Sequence, residues 1–185
     1  DFGENDDVTK AFSPQNNFYY LPGQHLEIVH RHGNIKENKY VEFPAKVTGN
    51  DSFTNRPSQN DWYDTVKLNY GVDYLNNNEE WFDPIPDTWY KMKDILMFWA
   101  DKGVDGFRCD MAEMVPVAFW RWSIPQIKAK HQGIIFIAEI YNPSMYRVFI
   151  DKNCFDFLYD KVGLYDVLRD VSCGYRPSSD ISFTL

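Results

Sequence analysis

Basic excess is the first thing this sequence lacks. Its 185 residues carry 27 Asp and Glu against 19 Lys and Arg, a net charge of -8. That balance offers no electrostatic footprint for nucleic acid or an anionic membrane surface, and neither partner is expected. Long apolar runs are missing as well. The longest, Ile95–Ala100 and Ile134–Ala138, fall far short of the roughly 18 residues that a membrane span takes. Cysteine is scarce: Cys109, Cys154 and Cys173 make an odd set without CxxC spacing, which argues against a zinc site and against a disulfide framework. Three reduced, buried thiols are the expectation. No internal repeat or low-complexity tract is visible. Asp1 is not preceded by an initiator Met, a basic n-region or an apolar h-region, so a targeting peptide is expected to have been removed or to lie outside this sequence. Localisation stays open, an extracellular or periplasmic site included.

What is present is enough for a core. Apolar residues make up 44% and charged residues 25%, a composition that buries a core without disulfide staples, and at roughly 150 residues per domain the length accommodates one domain and part of another. Aromatics are abundant: 14 Phe, 12 Tyr and 6 Trp bring them to 17%. Sugar faces stack on such rings, although most must simply fill the interior.

The chain has two textures. Residues 1–86 scatter Gly, Asn, Asp and Pro between short runs, Phe18–Tyr20, Leu26–Val29 and Tyr40–Phe43, which read as short strands in long loops. From Asp87 the period changes. Trp89, Met92, Ile95, Leu96 and Trp99 recur at helical spacing and stop before Gly103. A strand is expected over Val104–Asp110, a helix over Val117–His131 and a strand over Ile134–Ala138. A third round follows, with a helix over Ser144–Asp151, a strand over Phe155–Leu158 and a helix over Leu164–Val171. Repeated α-β units with apolar strands predict an α/β fold with a parallel sheet covered by helices.

In such folds functional groups gather where strands end, and Asp110 and Glu139 end the two best strands. Residues 111–138 between them suffice for a helix and a return strand, so the two strands can be neighbours. Carboxylates at one level on adjacent strands stand about 5 Å apart, the spacing of a retaining glycosidase. Arg108, two residues before Asp110, shares its face and would hold that carboxylate ionised. Glu139 follows Ile137-Ala138, an apolar setting expected to raise its pKa as a proton donor needs. The other reading of the same residues is a structural Arg108–Asp110 ion pair with Glu139 capping the next turn.

Gly103-Val104-Asp105-Gly106-Phe107-Arg108-Cys109-Asp110 closely resembles the motif ending the fourth barrel strand of the α-amylase superfamily, glycoside hydrolase family thirteen. Phe136-Ile137-Ala138-Glu139-Ile140-Tyr141 resembles the motif ending its fifth strand. The resemblance implies part of a (β/α)8 TIM barrel (87–185, third to sixth helix) preceded by an irregular, β-rich domain B insertion (1–86). It implies Asp110 as nucleophile, Glu139 as general acid/base and Arg108 as the partner of the nucleophile, and Arg108, Tyr70 and Tyr141 are the substrate-binding candidates. Lys67-Leu68-Asn69 is similar to a segment near the end of domain B in members acting on maltooligosaccharides, cyclodextrins or pullulan, and reads equally as a strand-to-loop junction. Two departures stand out. Glu113 and Met114 occupy positions where calcium-dependent members usually have Lys-His. The third- and seventh-strand motifs, with a third carboxylate and two histidines, are absent, so the chain is expected to be an inactive central portion of a longer enzyme and not a closed barrel.

The implied reaction is retaining cleavage of α-glucosidic linkages in starch-like glucans or maltooligosaccharides through a glycosyl-aspartate intermediate. Rival readings are an α-glucan transglycosylase using the same residues, a non-catalytic glucan-binding protein, and a different barrel enzyme. No cofactor is assigned, calcium stays open, and no metal ligand is named. His25, His30 and His32 lack a fixed ligand geometry and read as a solvated loop. Asp1, Glu4, Asp6 and Asp7 could offer oxygen to calcium but lack an EF-hand order. Trp62, Tyr63, Tyr70, Tyr74 and Trp81 suit either sugar platforms or packing, and Asp156 and Asp160 read as structural.

Overall fold

The computed structural model describes residues 1–28, 40–151 and 153–184. His30 and His32 therefore lie outside the described residues. The chain divides into two compact units, Asp1–Met92 and Lys93–Leu185.

The first unit is mostly turns and loops, and its sheet content is smaller than the β-rich region expected. Its strands are two residues long: β1 (Tyr20–Leu21) pairs antiparallel with β2 (Ala45–Lys46), and β3 (Val72–Asp73) with β4 (Glu79–Glu80). The strands expected within Leu26–Val29 and at Tyr40–Phe43 do not form over the described residues. Leu26 N–H still donates to Glu42 O and Ala45 N–H to Gln24 O, but Pro44 contributes no donor, so the ladder cannot run on. Side chains replace the missing ladder. Asp6 accepts from the backbone N–H groups of Asn17 (2.8 Å) and Phe18 (3.1 Å) and from the Tyr20 hydroxyl (3.0 Å). Tyr19, Leu21, Ala45 and Val47 form the core here, with Phe12, Leu26, Phe53 and Tyr74 packed against them.

The regular elements begin at the end of the first unit and continue through the second. Helix α1 (Asp87–Asp101) begins with Asp87 in its first turn, where a negative charge favours the helix dipole, and stops before Gly103 as its periodicity predicts. Strand β5 (Gly106–Cys109), helix α2 (Val117–Lys130) and strand β6 (Ile135–Ala138) follow. The helix expected over 144–151 is shorter: a 3-10 turn at Pro143–Met145, capped by the Asn142 side chain, leads into α3 (Tyr146–Phe149). Strand β7 is Phe157–Leu158, and a π-helical turn (Lys161–Tyr165) opens into α4 (Asp166–Ser172). A further short helix, α5 (Ser179–Thr184), was not indicated by periodicity. The sheet order is β5-β6-β7, all parallel. No closed barrel forms among the described residues.

Phe119, Ile124 and Ile127 of α2 and Phe136 and Ala138 of β6 are almost fully buried. Phe136 meets Phe107 at 5.3 Å between ring centroids, and Trp120 meets Phe155 edge-on at 5.0 Å. Asp156 is structural, receiving the Phe136 N–H (2.8 Å) and pairing with Lys128 (2.6 Å). Cys109 and Cys154 are buried, but Cys173 is exposed, against the expectation of three buried thiols. It follows the last turn of α4, outside the sheet's apolar cover.

Candidate active site

The parallel register does the positioning. Cys109 lies opposite Ala138, and Ala138 opposite Leu158. The next residue of each strand, Asp110, Glu139 and Tyr159, therefore stands at one level at the carboxyl end of the sheet. Backbone bonds carry the ladder to that level: Glu139 N–H donates to Cys109 O and Tyr159 N–H to Ala138 O, both at 3.0 Å. Immediately beyond Asp110 the backbone turns through Met111, a non-glycine residue with φ 44°. A left-handed residue beside strand-end carboxylates marks a site where local strain is tolerated.

One guanidinium ties the carboxylates together. Arg108 Nη1 donates to Asp110 Oδ2 at 2.6 Å, Nη2 pairs with Glu139 Oε2 at 2.7 Å, and Nε donates to the Tyr159 hydroxyl at 3.3 Å. The Tyr141 hydroxyl donates to Glu139 Oε1 (2.7 Å), and the Met111 N–H to Glu139 Oε2 (3.1 Å). Glu139 thus sits among three donors rather than in the apolar setting expected from Ile137-Ala138, because the loop after each strand turns polar groups inward. The Asp110 side chain is 74% exposed and that of Glu139 10%, so one carboxylate faces solvent and its neighbour is covered. Hydrogen bonding to Arg108 holds the Asp110 carboxyl below the usual carboxylate range, outweighing its partial desolvation. Asp110 and Tyr159 raise the Arg108 pKa in turn. The Tyr141 hydroxyl is also raised, chiefly by its bond to Glu139.

A cleft of about 560 Å³ adjoins Glu139, lined also by Tyr141, Tyr159, Asp160, Lys161 and Tyr165. Of the residues singled out in the sequence, the structure brings together Arg108, Asp110, Glu139 and Tyr141. Tyr70 is a correction. It belongs to the first unit and is 6% exposed, so its ring offers no face to a sugar. Lys67 pairs with Asp51, and Asn69 donates to Ser13 O (2.8 Å) and accepts from Gly71 N–H (2.8 Å), which makes that segment a structural junction. Tyr74 packs in the core cluster, whereas Trp62, Tyr63 and Trp81 are exposed. Asp160 bonds the Gly163 N–H (2.9 Å) and lines the cleft. Glu113 accepts from the Asn142 N–H (3.1 Å).

In the acidic N-terminal run Asp6 accepts from three protein donors and Asp7 from the Thr9 N–H. Among the described residues no group of three His, Cys, Asp or Glu could hold a metal ion, and no described helix is long and apolar enough to cross a membrane. Tyr159 was missed in the sequence. It follows a third strand at the level of Glu139, a place that only the strand register reveals.

No family model matches the chain. A stretch of 57 residues, 31% of the chain, is 39% identical to an alpha-1,4-glucan:maltose-1-phosphate maltosyltransferase of Cereibacter sphaeroides, of which it covers 10%. A stretch of 68 residues, 36% of the chain, is 38% identical to the enzyme of the same name from Burkholderia pseudomallei, of which it covers 6%. Among solved structures, the cyclic α-maltosyl-(1→6)-maltose hydrolase of Arthrobacter globiformis aligns with 70% of this chain and 26% of its own, with a TM-score of 0.52 and 18% identity, a likeness of fold. In these stretches and in fold the chain is similar to members of the α-amylase superfamily. The chain spans about a tenth of the first curated relative and about a quarter of the solved structure.

Proposed function

We propose that this chain is the central part of the catalytic domain of a retaining enzyme that cleaves α-glucosidic linkages in starch-like glucans or maltooligosaccharides. On this reading residues 1–86 correspond to domain B, and β5, β6 and β7 to the fourth, fifth and sixth strands of a (β/α)8 barrel. One observation carries the proposal: a single Arg108 guanidinium reaches both strand-end carboxylates, at 2.6 and 2.7 Å. Groups held by one fork are close neighbours, which supports the spacing of about 5 Å in retaining pairs over the roughly 6.5–9.5 Å of inverting ones.

The roles follow from the surroundings. Asp110, exposed and kept ionised by Arg108, attacks the anomeric carbon. Glu139, covered and hydrogen-bonded to Tyr141, gives its proton to the departing glycosidic oxygen. A glycosyl ester on Asp110 results. Glu139 then takes a proton from the incoming acceptor, whose oxygen displaces Asp110. Tyr141 keeps the Glu139 carboxyl oriented and, being partly exposed beside the cleft, offers a ring edge to the bound sugar.

Hydrolysis has water as acceptor. Transglycosylation is the second reading, favoured by the maltosyltransferase names of the curated relatives. Replacing Asp110 by Asn in the intact protein tests the roles: turnover of maltooligosaccharides is expected to vanish while glucan binding persists. Unchanged turnover would remove Asp110 from the chemistry. Product chain lengths separate the two acceptors, because only transfer yields products longer than the substrate.

A further inference from the structure

Arg108 must aim two terminal nitrogens at two different carboxylates, yet its side chain is 39% exposed and its long stem has many rotamers. Two bonds from its terminal nitrogens, one of them to the exposed Asp110 carboxylate, do not fix the plane of a guanidinium. A third contact from a fixed point does. Tyr159 supplies it twice over, accepting the Nε–H at 3.3 Å and placing its ring 5.5 Å beneath the guanidinium carbon. Its backbone is itself anchored level with Glu139 by the N–H bond to Ala138 O (3.0 Å). Nε and the ring face together restrict rotation about the last bonds of the arginine, leaving Nη1 directed at Asp110 and Nη2 at Glu139.

We propose that Tyr159 is a positioning residue, which acts through Arg108 to hold the two carboxylates in their working arrangement. This inference rests on the roles proposed above for Asp110 and Glu139. A purely structural role fits the tyrosine less well, because Tyr159 is 40% exposed and contributes little to the core, whereas its hydroxyl has a bonding partner in the site. The charged and titratable groups around Asp110 are Arg108 on β5 and Glu139 just after β6, with Tyr141 beyond Glu139 and Tyr159, just after β7, acting through Arg108. Loosening Arg108 therefore weakens what keeps Asp110 ionised.

The test is Tyr159→Phe in the intact protein, with Asp110→Asn alongside. In Tyr159→Phe, kcat on maltooligosaccharides is expected to fall about tenfold with KM within about twofold. The acid limb of the pH–rate profile should move to higher pH, while the unfolding midpoint stays at the wild-type value. Tyr159→Ala, which also loses the ring, should fall further. Nitrogen-15 NMR of the Arg108 Nε–H gives a readout independent of turnover, with faster hydrogen exchange expected in Tyr159→Phe. Wild-type kcat and pH profile in Tyr159→Phe, in a protein that Asp110→Asn inactivates, would overturn the positioning role and leave the catalytic reading standing. A wild-type protein without activity on any glucan would overturn the catalytic reading. Unaltered Nε–H exchange in Tyr159→Phe would then overturn the positioning of Arg108 as well.

Discussion

Replacing Gly106 by Ala probes how the strand ends are brought level. Gly106 opens β5 opposite Ile135 of β6, and a Cβ built there would meet Ile135 O at 2.5 Å and Ile135 C at 3.2 Å. Carbon–oxygen contacts settle near 3.3–3.6 Å, so the two strands must part by on the order of 1 Å. Backbone oxygen, unlike the tip of a flexible side chain, cannot swing aside, and the neighbouring bond from Ile135 N–H to Asp105 O (3.1 Å) lies in the path of the shift. Overpacking of this kind costs about 1–3 kcal/mol, offset by about 0.4–1 kcal/mol from the reduced freedom of alanine in the unfolded chain. The net expectation is a loss of about 1–2 kcal/mol. Its effect on chemistry should be larger, because a misplacement of about 1 Å costs on the order of a hundredfold in rate. Urea unfolding followed by tryptophan fluorescence measures the first quantity, and maltooligosaccharide turnover per folded molecule the second. Gly133→Ala is the control. Gly133 has φ 89° but open space around it, so the substitution costs about 1–2 kcal/mol of backbone strain alone and should leave turnover intact. If Gly106→Ala kept both the wild-type midpoint and the wild-type rate, the argument from strand separation would fail. A destabilised variant with full turnover would show that the carboxylates do not depend on this contact.

Two further outcomes are expected. Burial pushes the Cys109 thiol up to about 12 and the Cys154 thiol up to about 11, while Cys173 is exposed. A thiol reagent should therefore label only Cys173 in the native protein and all three after denaturation; native labelling of Cys109 would contradict its burial. Desolvation pushes the Asp87 carboxyl up, but bonds from Lys91 and Asn17 outweigh it and leave the pKa below 3.8. A depressed folded-state pKa stabilises above the unfolded value, and that contribution is lost as pH falls through the folded one. The stability advantage of the wild type over Asp87→Asn should accordingly hold above about pH 5 and shrink as pH falls through 3.8 and then through the lower folded value, and a constant difference would refute the pairing.

The legible parts of this molecule are those whose signal repeats. Trp89, Met92, Leu96 and Trp99 mark α1 through their helical spacing, although only Trp89 of the four is buried, and the apolar residues before Asp110 and Glu139 mark β5 and β6. Residues 1–86 resisted reading because their order comes from single side chains reaching distant backbone, as Asp6 does to Asn17 and Phe18. Such bonds leave no periodicity. Helix α3 ran short because Pro143 and the Asn142 cap start a 3-10 turn before it. Arg108, Asp110 and Glu139 are legible from their place at strand ends, whereas an aromatic such as Tyr70 carries no sign in the sequence of whether it is buried. Tyr159 emerges only from register, which depends on which strand lies beside which.

The parallel sheet also separates two engineering problems. The reactive groups all follow the carboxyl ends of the strands, whereas the turn at Gly133 precedes β6 and has no atom near its would-be Cβ. Four residues of strand, roughly 13 Å, lie between that turn and Glu139. A reporter, a linker or a new chain opening inserted at Gly133 would therefore sit on the far rim of the sheet from the carboxylates. The same spacing would let natural variants lengthen this turn without moving Glu139 out of line with Asp110.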